Sequence, residues 1–303
     1  MNRRKETFTG KRDGPHLLIT AGVHGDEFEP MVAVDRLIQQ LPTYDLAGRV
    51  TLVPVVNESA FSIGKRTGSD GLDLARVCPG NDQGSATEQS AAALSQLIGQ
   101  ADYYIDLHTG GVGYSVWPMS GYLLHQDSAV LAKQQKMSQV FNLPVIWGTY
   151  AGNEGRSLSV ARDAAVPAIY TEYLGSVPFH PEAVDALSAG CLNVMGWLEM
   201  IDREPAAGAV AWICEDDRAG AGHMQICHPA PHAGLFVADV GLGETVQQGQ
   251  VLGTVTDMES GVQSTVPAQQ TGRILTIHSF ARVAQADGLF VVVDFQPFEE
   301  SPS

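Results

Sequence analysis

The sequence predicts an α/β protein with a mixed, largely parallel sheet flanked by helices, followed by an all-β barrel or sandwich. Two observations predict this architecture. Between residues 16 and 200, short β-rich runs alternate with helix-like stretches, and such alternation is typical of a parallel sheet covered by helices. After residue 202 the helical periodicity disappears and glycine-punctuated strands replace it. We therefore expect two domains, residues 1–202 and residues 203–303.

The elements of the first domain follow from the spacing of its apolar residues. We expect strands over 16–23, 49–56, 103–109, 144–150 and 167–174. We expect helices over 29–41, 87–100, 129–143, 157–165 and 181–200. In the last helix, apolar residues recur from Val184 to Leu198 at close to a 3.6-residue period, and Pro181 lies near its start, where proline is tolerated.

The β-rich tail contains the segment "VGLGETVQQGQVLGTV", which is similar to the barrel-sandwich pattern of lipoyl and biotinyl carrier domains. Those carriers need a lysine on a hairpin, and this chain has no lysine after Lys136. A swinging-arm role is therefore excluded, and we expect the tail to cover part of a site in the first domain.

The charge of the chain limits its partners. Its 303 residues carry a formal net charge of −16, which disfavours binding to nucleic acid or to an anionic membrane surface. The sequence also lacks the run of about 18 apolar residues that a membrane span needs, and no apolar segment follows the basic start "MNRRKETFTG". We expect a cytoplasmic protein, in which an anionic substrate would need a locally positive pocket.

The cysteines are scattered and form no C-x-x-C pair; they are Cys78, Cys191, Cys214 and Cys227. In a large, predicted cytoplasmic chain this spacing favours reduced thiols over disulfides. His223, Cys227 and His228 cluster in the tail, but their spacing fits no zinc motif, so we expect an exposed loop there.

Four side chains that suit a metal site lie at the carboxyl ends of predicted strands. His24 and Glu27, in "TAGVHGDEFEP", follow the first strand, His108 ends the third and Glu172 ends the fifth. Sites in such sheets form in the loops beyond the carboxyl ends of the strands. We therefore expect the four side chains to meet at one edge of the sheet.

Two histidines and one carboxylate form a three-ligand set that suits zinc and leaves one position for water. A His-x-x-Glu pair alone is weak evidence, so His24 and Glu27 depend on His108 as the third ligand. Asp106 lies two residues before His108 on the same strand face and could support it. The alternative is that His108 is an ordinary hydrogen-bonded polar residue at a strand end.

Glu172, in "YTEYLG", lies where an apolar strand ends, a costly position for a carboxylate unless it is paired or functional. Its position near the three candidate ligands favours a general base that acts on water. The alternative is a salt bridge to Arg156 or Arg162.

With these residues in place, the chain resembles the succinylglutamate desuccinylase/aspartoacylase family of the zinc carboxypeptidase superfamily. The resemblance rests on four segments in the same order along the chain: "GVHGDE", "NESAFSIGKRTGSDGLDLARVCPG", "DLHTGG" and "YTEYLG". It implies a zinc-carboxypeptidase-like sheet and a β-rich second domain. It also implies hydrolysis of an N-acyl amide bond, with one zinc ion per chain held by His24, Glu27 and His108, and with Glu172 acting on the water.

The same resemblance implies roles for two arginines. Arg66 aligns with the family's arginine near the scissile carbonyl, where it would stabilise the oxyanion and contact substrate. Arg76 aligns with the arginine of an Asn-Arg pair that binds the substrate carboxylate. The chain departs from the family at Ala75, which replaces the asparagine, and at Cys78, which replaces the more usual phenylalanine. One of two expected carboxylate contacts is therefore missing.

The sequence thus predicts a zinc-dependent hydrolase that deacylates a small N-acyl amino acid or a related N-acyl amine. A homo-oligomer is compatible with this prediction. Because of Ala75, we expect N-acetylaspartate and N-succinylglutamate to be disfavoured. A metallocarboxypeptidase that acts on short peptides is the alternative enzyme. A binding protein without turnover would lack a ligand or the base, and the sequence has all of them.

Overall fold

A large mixed sheet runs through the molecule. The computed structural model describes residues 4–175, 177–224 and 227–299 of the chain. Its strands in the first part of the chain are β1 (Glu6–Thr9), β2 (Arg12–Thr20), β3 (Ala47–Val53), β4 (Tyr103–Leu107), β5 (Tyr114–Leu123), β6 (Val145–Thr149) and β7 (Ala168–Leu174). The later strands of the chain, some of which form a second sheet, are β8 (Trp212–Glu215), β9 (Gly234–Ala238), β10 (Thr245–Val246), β11 (Val251–Thr256), β12 (Gln263–Pro267), β13 (Gly272–His278), β14 (Arg282–Val283), β15 (Phe290–Val293) and β16 (Gln296–Pro297).

The helices lie on both faces of this sheet. They are α1 (Phe28–Gln40), α2 (Glu58–Phe61), α3 (Ala86–Ile98), α4 (Ser128–Phe141), α5 (Ser157–Asp163) and α6 (Pro181–Trp197). On one face, α6 packs against α1 and α4 over a core that includes Leu37, Phe141 and Leu187. On the other face, α3 packs against α5 over Leu94 and Leu158. The predicted helices and strands of the first domain are therefore confirmed, with ends that differ by up to four residues.

The strand order is β1-β3-β2-β4-β7-β5-β6-β8-β16. Strands β3, β2, β4 and β7 are parallel neighbours. Strand β5, which the sequence analysis did not assign, runs antiparallel to β7 and parallel to β6. The sheet is mixed and largely parallel, as predicted. Because β2, β3, β4 and β7 point the same way, the chain leaving each of them enters the same edge of the sheet.

The β-rich tail builds a second core against the same sheet. A separate antiparallel sheet has the order β12-β11-β9-β14, while β13 pairs with β10, β15 and β5. Between these layers lie apolar side chains such as Phe236, Leu252, Val266, Ile274 and Phe290. The tail is thus layered as predicted and is continuous with the main sheet through β13 and β5.

The domain boundary predicted between residues 202 and 203 stays a prediction. Strand β8 follows this boundary in the chain, yet it pairs with β6 and belongs to the main sheet.

Three further expectations concern side chains and single elements. All four cysteines are free thiols, as predicted. Within the described ranges, no helix combines the length and apolar character that a membrane crossing would require. The expectation of an exposed loop is wrong for His228, which is 5% exposed. It is buried because its Nδ1 lies 3.0 Å from the carbonyl of Phe290 and its Nε2 accepts a hydrogen bond from the backbone of Gln269.

Candidate functional site

The side chains of His24, Glu27 and His108 meet at the carboxyl edge of the main sheet. Glu27 lies between the imidazoles, with Oε1 2.6 Å from His24 Nδ1 and Oε2 2.8 Å from His108 Nδ1. Among the residues that the structure describes, these three form the group whose donor atoms could hold a metal ion, all within 4.8 Å of one another. The predicted convergence of strand ends therefore occurs.

The local fold explains how His24 and Glu27 reach this position. Strand β2 ends at Thr20, and the loop that follows turns into α1 at Phe28. Gly25 lies so close to α2 that a Cβ atom there would come within 2.1 Å of the backbone of Ala60. Only glycine fits this contact, which presses the ligand-bearing loop against α2 and fixes its path.

The charge of Glu27 is stabilised by its neighbours. Burial alone would raise the pKa of Glu27, but the imidazoles of His24 and His108 outweigh burial and hold that pKa well below its usual range. Glu27 therefore stays ionised, as a metal ligand must be.

Two carboxylates support the histidines from behind. Asp73 Oδ1 lies 3.1 Å from His24 Nε2, and Arg66 Nε donates to Asp73 Oδ2 at 3.1 Å. Asp106 Oδ2 lies 3.2 Å from His108 Nε2, so the support that the sequence suggested for His108 is present. A carboxylate on the second nitrogen of an imidazole fixes the orientation of the ring and raises its basicity toward a metal.

Glu172 faces these residues as a buried carboxyl group. It is 7% exposed, and its Oε2 has no hydrogen-bond partner among the described residues. Burial raises the pKa of Glu172 well above its ordinary value, and the negative charge of Glu27 raises it further. Perturbed carboxyl groups in clefts are candidates for acid–base chemistry.

The alternative salt bridge of Glu172 is not formed. Arg162 pairs instead with Glu154 and Asp163. In the described part of the chain, Arg156 makes no ion pair; both of its terminal nitrogens contact the carbonyl of Gly222 at 3.4 Å. Glu172 therefore lacks the structural partner that would explain its burial.

The pocket beside these residues is locally positive. Arg66, Ala75, Arg76 and Arg156 all line it, and Glu172 is the carboxylate among its described lining residues. Burial lowers the pKa of Arg156, and the neighbouring charge of Arg76 lowers it further. Two guanidinium groups that repel each other in this way favour an anionic ligand between them. The acidic molecule thus contains the positive pocket that an anionic substrate needs.

The tail of the chain forms one wall of this pocket. Gly222, Met224 and Thr276 line it together with His108 and Glu172. The expectation that the tail covers part of the site agrees with this arrangement.

The two imidazoles and the carboxylate are a set of three ligands that suits a zinc ion. The three side chains are buried, their donor atoms converge, and each imidazole has its second nitrogen on a carboxylate. The carboxyl oxygen of Glu172 that has no partner lies in the same pocket.

Sequence reasoning missed Arg156 as a pocket residue and Asp73 as the partner of His24. No sequence signal placed Arg156 in the pocket, which it reaches from the end of the loop between β6 and α5. Asp73 carried a signal, since it lies two residues before Ala75 in the segment that supported the family resemblance.

Comparison with known proteins now decides the family. A sequence model described as "Succinylglutamate desuccinylase/Aspartoacylase catalytic domain" matches residues 13–198. The chain belongs to the succinylglutamate desuccinylase/aspartoacylase family. The resemblance drawn from the four segments is confirmed. Because this is a family of deacylases, the predictions of an enzyme and of hydrolysis at an N-acyl amide bond are confirmed as well.

Known proteins are similar to this chain over almost its full length. The N-alpha-acetyl-L-2,4-diaminobutyric acid deacetylase of Halomonas elongata is 28% identical over 294 residues, which are 95% of this chain and 84% of the relative. The crystal structure of the succinylglutamate desuccinylase/aspartoacylase from Rhodobacter sphaeroides is 25% identical, with a TM-score of 0.86 over 98% of this chain and 90% of that one.

A product-bound ectoine utilization protein EutE (DoeB) from Ruegeria pomeroyi is similar to the same degree. It is 25% identical, with a TM-score of 0.86 over 95% of this chain and 87% of that one. A succinylglutamate desuccinylase from a Silicibacter species, at 23% identity and a TM-score of 0.88 over 97% and 89% of the two chains, shows the fold alone. The two-part architecture therefore belongs to solved members of the fold.

Proposed function

We propose that this family member is a zinc-dependent deacylase that hydrolyses a small N-acyl amino acid. The observation that carries the proposal is the convergence of His24, Glu27 and His108 beside a pocket that also contains Glu172, whose Oε2 has no hydrogen-bond partner among the described residues. A structural polar cluster would have paired Glu172, since an unpaired buried carboxyl group costs free energy.

His24, Glu27 and His108 would hold one zinc ion per chain. The ion, when bound, supplies a water molecule of lowered pKa and polarises the acyl carbonyl. Asp73 and Asp106 keep the two imidazoles in the orientation that this binding needs, by hydrogen bonds to their far nitrogens.

Glu172 is proposed as the general base. Its carboxyl group is buried and has an oxygen free to accept a proton from the attacking water. Burial raises its pKa, so a proton that it takes up is held more strongly than by an exposed glutamate.

Arg66 is proposed to bind the acyl oxygen, where negative charge develops as water attacks. Its Nε is held by Asp73 at 3.1 Å, while Nη1 lies 4.0 Å from Glu27 Oε1. The guanidinium is thus fixed beside the candidate metal ligands, with further donors that can face a substrate.

Arg76 and Arg156 are proposed to bind the carboxylate of the substrate. Both line the pocket, and a guanidinium can bind a carboxylate through two parallel hydrogen bonds. The expectation that N-acetylaspartate and N-succinylglutamate are disfavoured came from Ala75 alone. Arg156, which the sequence analysis considered only as an alternative partner of Glu172, supplies positive charge on that side and favours an N-acyl amino acid, the class named for the Halomonas elongata relative.

Purified protein tests the proposal in two steps. We expect about one zinc ion per chain by elemental analysis after mild dialysis, and loss of that zinc in His24→Ala and His108→Ala. A panel of N-acyl amino acids, matched N-acyl amines and short peptides should then show turnover of the first group. An active, folded, metal-free sample would overturn the zinc proposal, and preferential cleavage of peptides would favour the metallocarboxypeptidase instead. A cytoplasmic location and a homo-oligomer stay predictions.

A further inference from the structure

A chain of buried polar side chains connects the proposed metal ligands with the arginine end of the pocket. At its centre is Asp106, which is fully buried. Its Oδ2 accepts a hydrogen bond from Ser157 Oγ at 2.5 Å and lies 3.2 Å from His108 Nε2. Its Oδ1 accepts a hydrogen bond from Thr20 Oγ1 at 2.8 Å. One oxygen of Asp106 is therefore shared by His108 and Ser157.

Ser157 lies between Arg156, which lines the pocket, and Asp106, which contacts His108. It is the first residue of α5 and directly follows Arg156. The backbone N–H of Arg156 donates to Ser159 Oγ at 3.0 Å, and the backbone N–H of Ser159 donates to the carbonyl of Arg156 at 3.1 Å. The backbone of Arg156 is thus tied to the first turn of α5, and Ser157 ties that turn to Asp106.

The same hydrogen bond bears on the orientation of His108. When Nε2 of His108 donates to Asp106, Nδ1 carries the lone pair, and Nδ1 is the nitrogen that lies beside Glu27. The carboxylate plane of Asp106 determines the direction of the imidazole. Ser157 and Thr20 fix this plane from its two oxygens.

We propose that Ser157 is a positioning residue that couples the Arg156 end of the substrate pocket to the metal ligand His108. The inference rests on the proposed function. A substrate carboxylate held by Arg156 and a zinc ion held by His108 both require α5 and Asp106 to keep the arrangement that the Ser157 hydroxyl fixes. Thr20 also donates to Asp106, but it lies on β2, and its hydroxyl makes its other hydrogen bond to the hydroxyl of Tyr104 on β4.

Three variants of the full-length protein separate these roles: Ser157→Ala, Ser157→Thr and Thr20→Val. For each, the zinc dissociation constant is measured by chelator competition. KM and kcat are measured for the best N-acetyl amino acid and for its carboxamide, which lacks the negative charge. Ser157→Ala should weaken zinc binding about 10-fold or more, the usual effect of losing an outer-shell partner. It should also raise KM for the acid about 10-fold, as the loss of a hydrogen bond that fixes a charged contact implies, and leave KM for the carboxamide unchanged.

The other two variants give the controls. Thr20→Val should weaken zinc binding and leave the ratio of the two KM values at the native level. Ser157→Thr keeps the hydroxyl and should restore zinc affinity and the KM ratio together. Thermal unfolding of the metal-free proteins confirms that each variant folds. If Ser157→Ala does not fold, Ser157→Cys, which keeps a weak S–H donor, should show the same pair of changes with smaller size.

A Ser157→Ala protein that changes zinc affinity or the KM ratio, but not both, would overturn the coupling. The same holds if Thr20→Val changes both, because the effect would then be a general loosening of Asp106. Failure of the proposed function is a separate result: native protein would bind no zinc or hydrolyse none of the N-acyl substrates.

Discussion

At the scale of single residues, Glu172 has a cost for folding that its proposed role explains. Its carboxyl group is buried next to the charge of Glu27, and Oε2 has no hydrogen-bond partner in the described part of the chain. Evolution retains such groups where activity needs them, often at the expense of stability. Replacing Glu172 should therefore lower the activity and raise the stability of the protein.

Glu172→Gln should retain zinc and fold but lose roughly 10²–10⁴ in kcat, the usual contribution of a positioned acid–base group. Assays with the best N-acyl amino acid and elemental analysis check both points. Glu182→Gln is the matched control, since the side chain of Glu182 is 58% exposed on α6, and it should change nothing. Normal turnover of Glu172→Gln would contradict the base, and loss of zinc would make Glu172 a ligand.

The same substitution should raise the melting temperature of the metal-free protein at pH 7. The folded-state pKa of Glu172 is raised, so the native state binds more protons than the unfolded state at neutral pH. Stability therefore falls as the pH rises above the ordinary glutamate pKa of about 4.3. The advantage of glutamine over glutamate should shrink as the pH is lowered toward that value. Melting curves at several pH values measure it, and a pH-independent difference would contradict the assignment.

Ala75 bears on substrate choice, because it lines the pocket beside Arg76. Ala75→Asn would add an amide donor where the family resemblance implies one. A hydrogen bond to a charged group contributes about 1.5–3 kcal/mol. We expect kcat/KM for N-acetylaspartate to rise by roughly 10-fold or more relative to a carboxylate-free N-acyl amine. If that ratio is unchanged, Arg156 already fulfils the role of the missing asparagine.

Residue types and strand ends together predicted which side chains would meet, because the carboxyl ends of parallel strands share an edge. His24, His108 and Glu172 therefore line one pocket, and Glu27 lies between the two histidines. Contacts between distant segments, such as Ser157 with Asp106, could not be predicted. They depend on how a helix packs on the sheet, which a residue's local pattern does not encode.

At the scale of elements, the parallel strands were predictable and the antiparallel strand β5 was not. The parallel strands are buried on both faces and are read as short apolar runs. Strand β5, "YSVWPMSGYL", contains Pro118 and Gly121, which disfavour a strand prediction. Gly121 is needed there because a Cβ atom would come within 2.5 Å of the ring of Tyr170. Packing against β7 therefore requires Gly121, although the local sequence pattern predicts that a strand ends there.

The contact between the ligand-bearing loop and α2 gives a prediction for Gly25. Gly25→Ala would place a methyl group against the backbone of Ala60, which cannot move as a side-chain tip can. The loop with His24 and Glu27 should shift, so we expect zinc binding to weaken at least 10-fold and the melting temperature to fall. Gly99→Ala is the control, since its nearest neighbour would be 3.6 Å away, and it should be neutral or slightly stabilising. A Gly25→Ala protein with native zinc affinity would contradict this account of the loop.

At the scale of the whole molecule, the tail supports the main sheet as well as the pocket. The pairing of β13 with β5 and of β8 with β6 places strands of the tail within the main sheet. The sequence predicted a β-rich tail with its own core. It did not predict the shared sheet, because strand pairing between segments far apart in the chain leaves no local pattern.

The last prediction concerns a chain that ends at residue 202. Removing the tail would uncover Val116, Met119, Val145 and Trp147, which pack against apolar residues of the tail, among them Leu275, Val291, Val293 and Phe295. Burial of each large apolar side chain contributes about 1.5–3 kcal/mol, so the four together account for roughly 6–12 kcal/mol. That is close to the whole stability of a typical protein, about 5–15 kcal/mol. Residues 1–202 alone should therefore aggregate or remain unfolded, as size-exclusion chromatography and circular dichroism would show.

Met258→Ser, in the exposed turn between β11 and β12, is the control for a harmless change in the tail. A monomeric 1–202 fragment with cooperative unfolding would show that the first part of the chain folds without the tail, and its zinc affinity and substrate preference would then measure what the tail adds to the site.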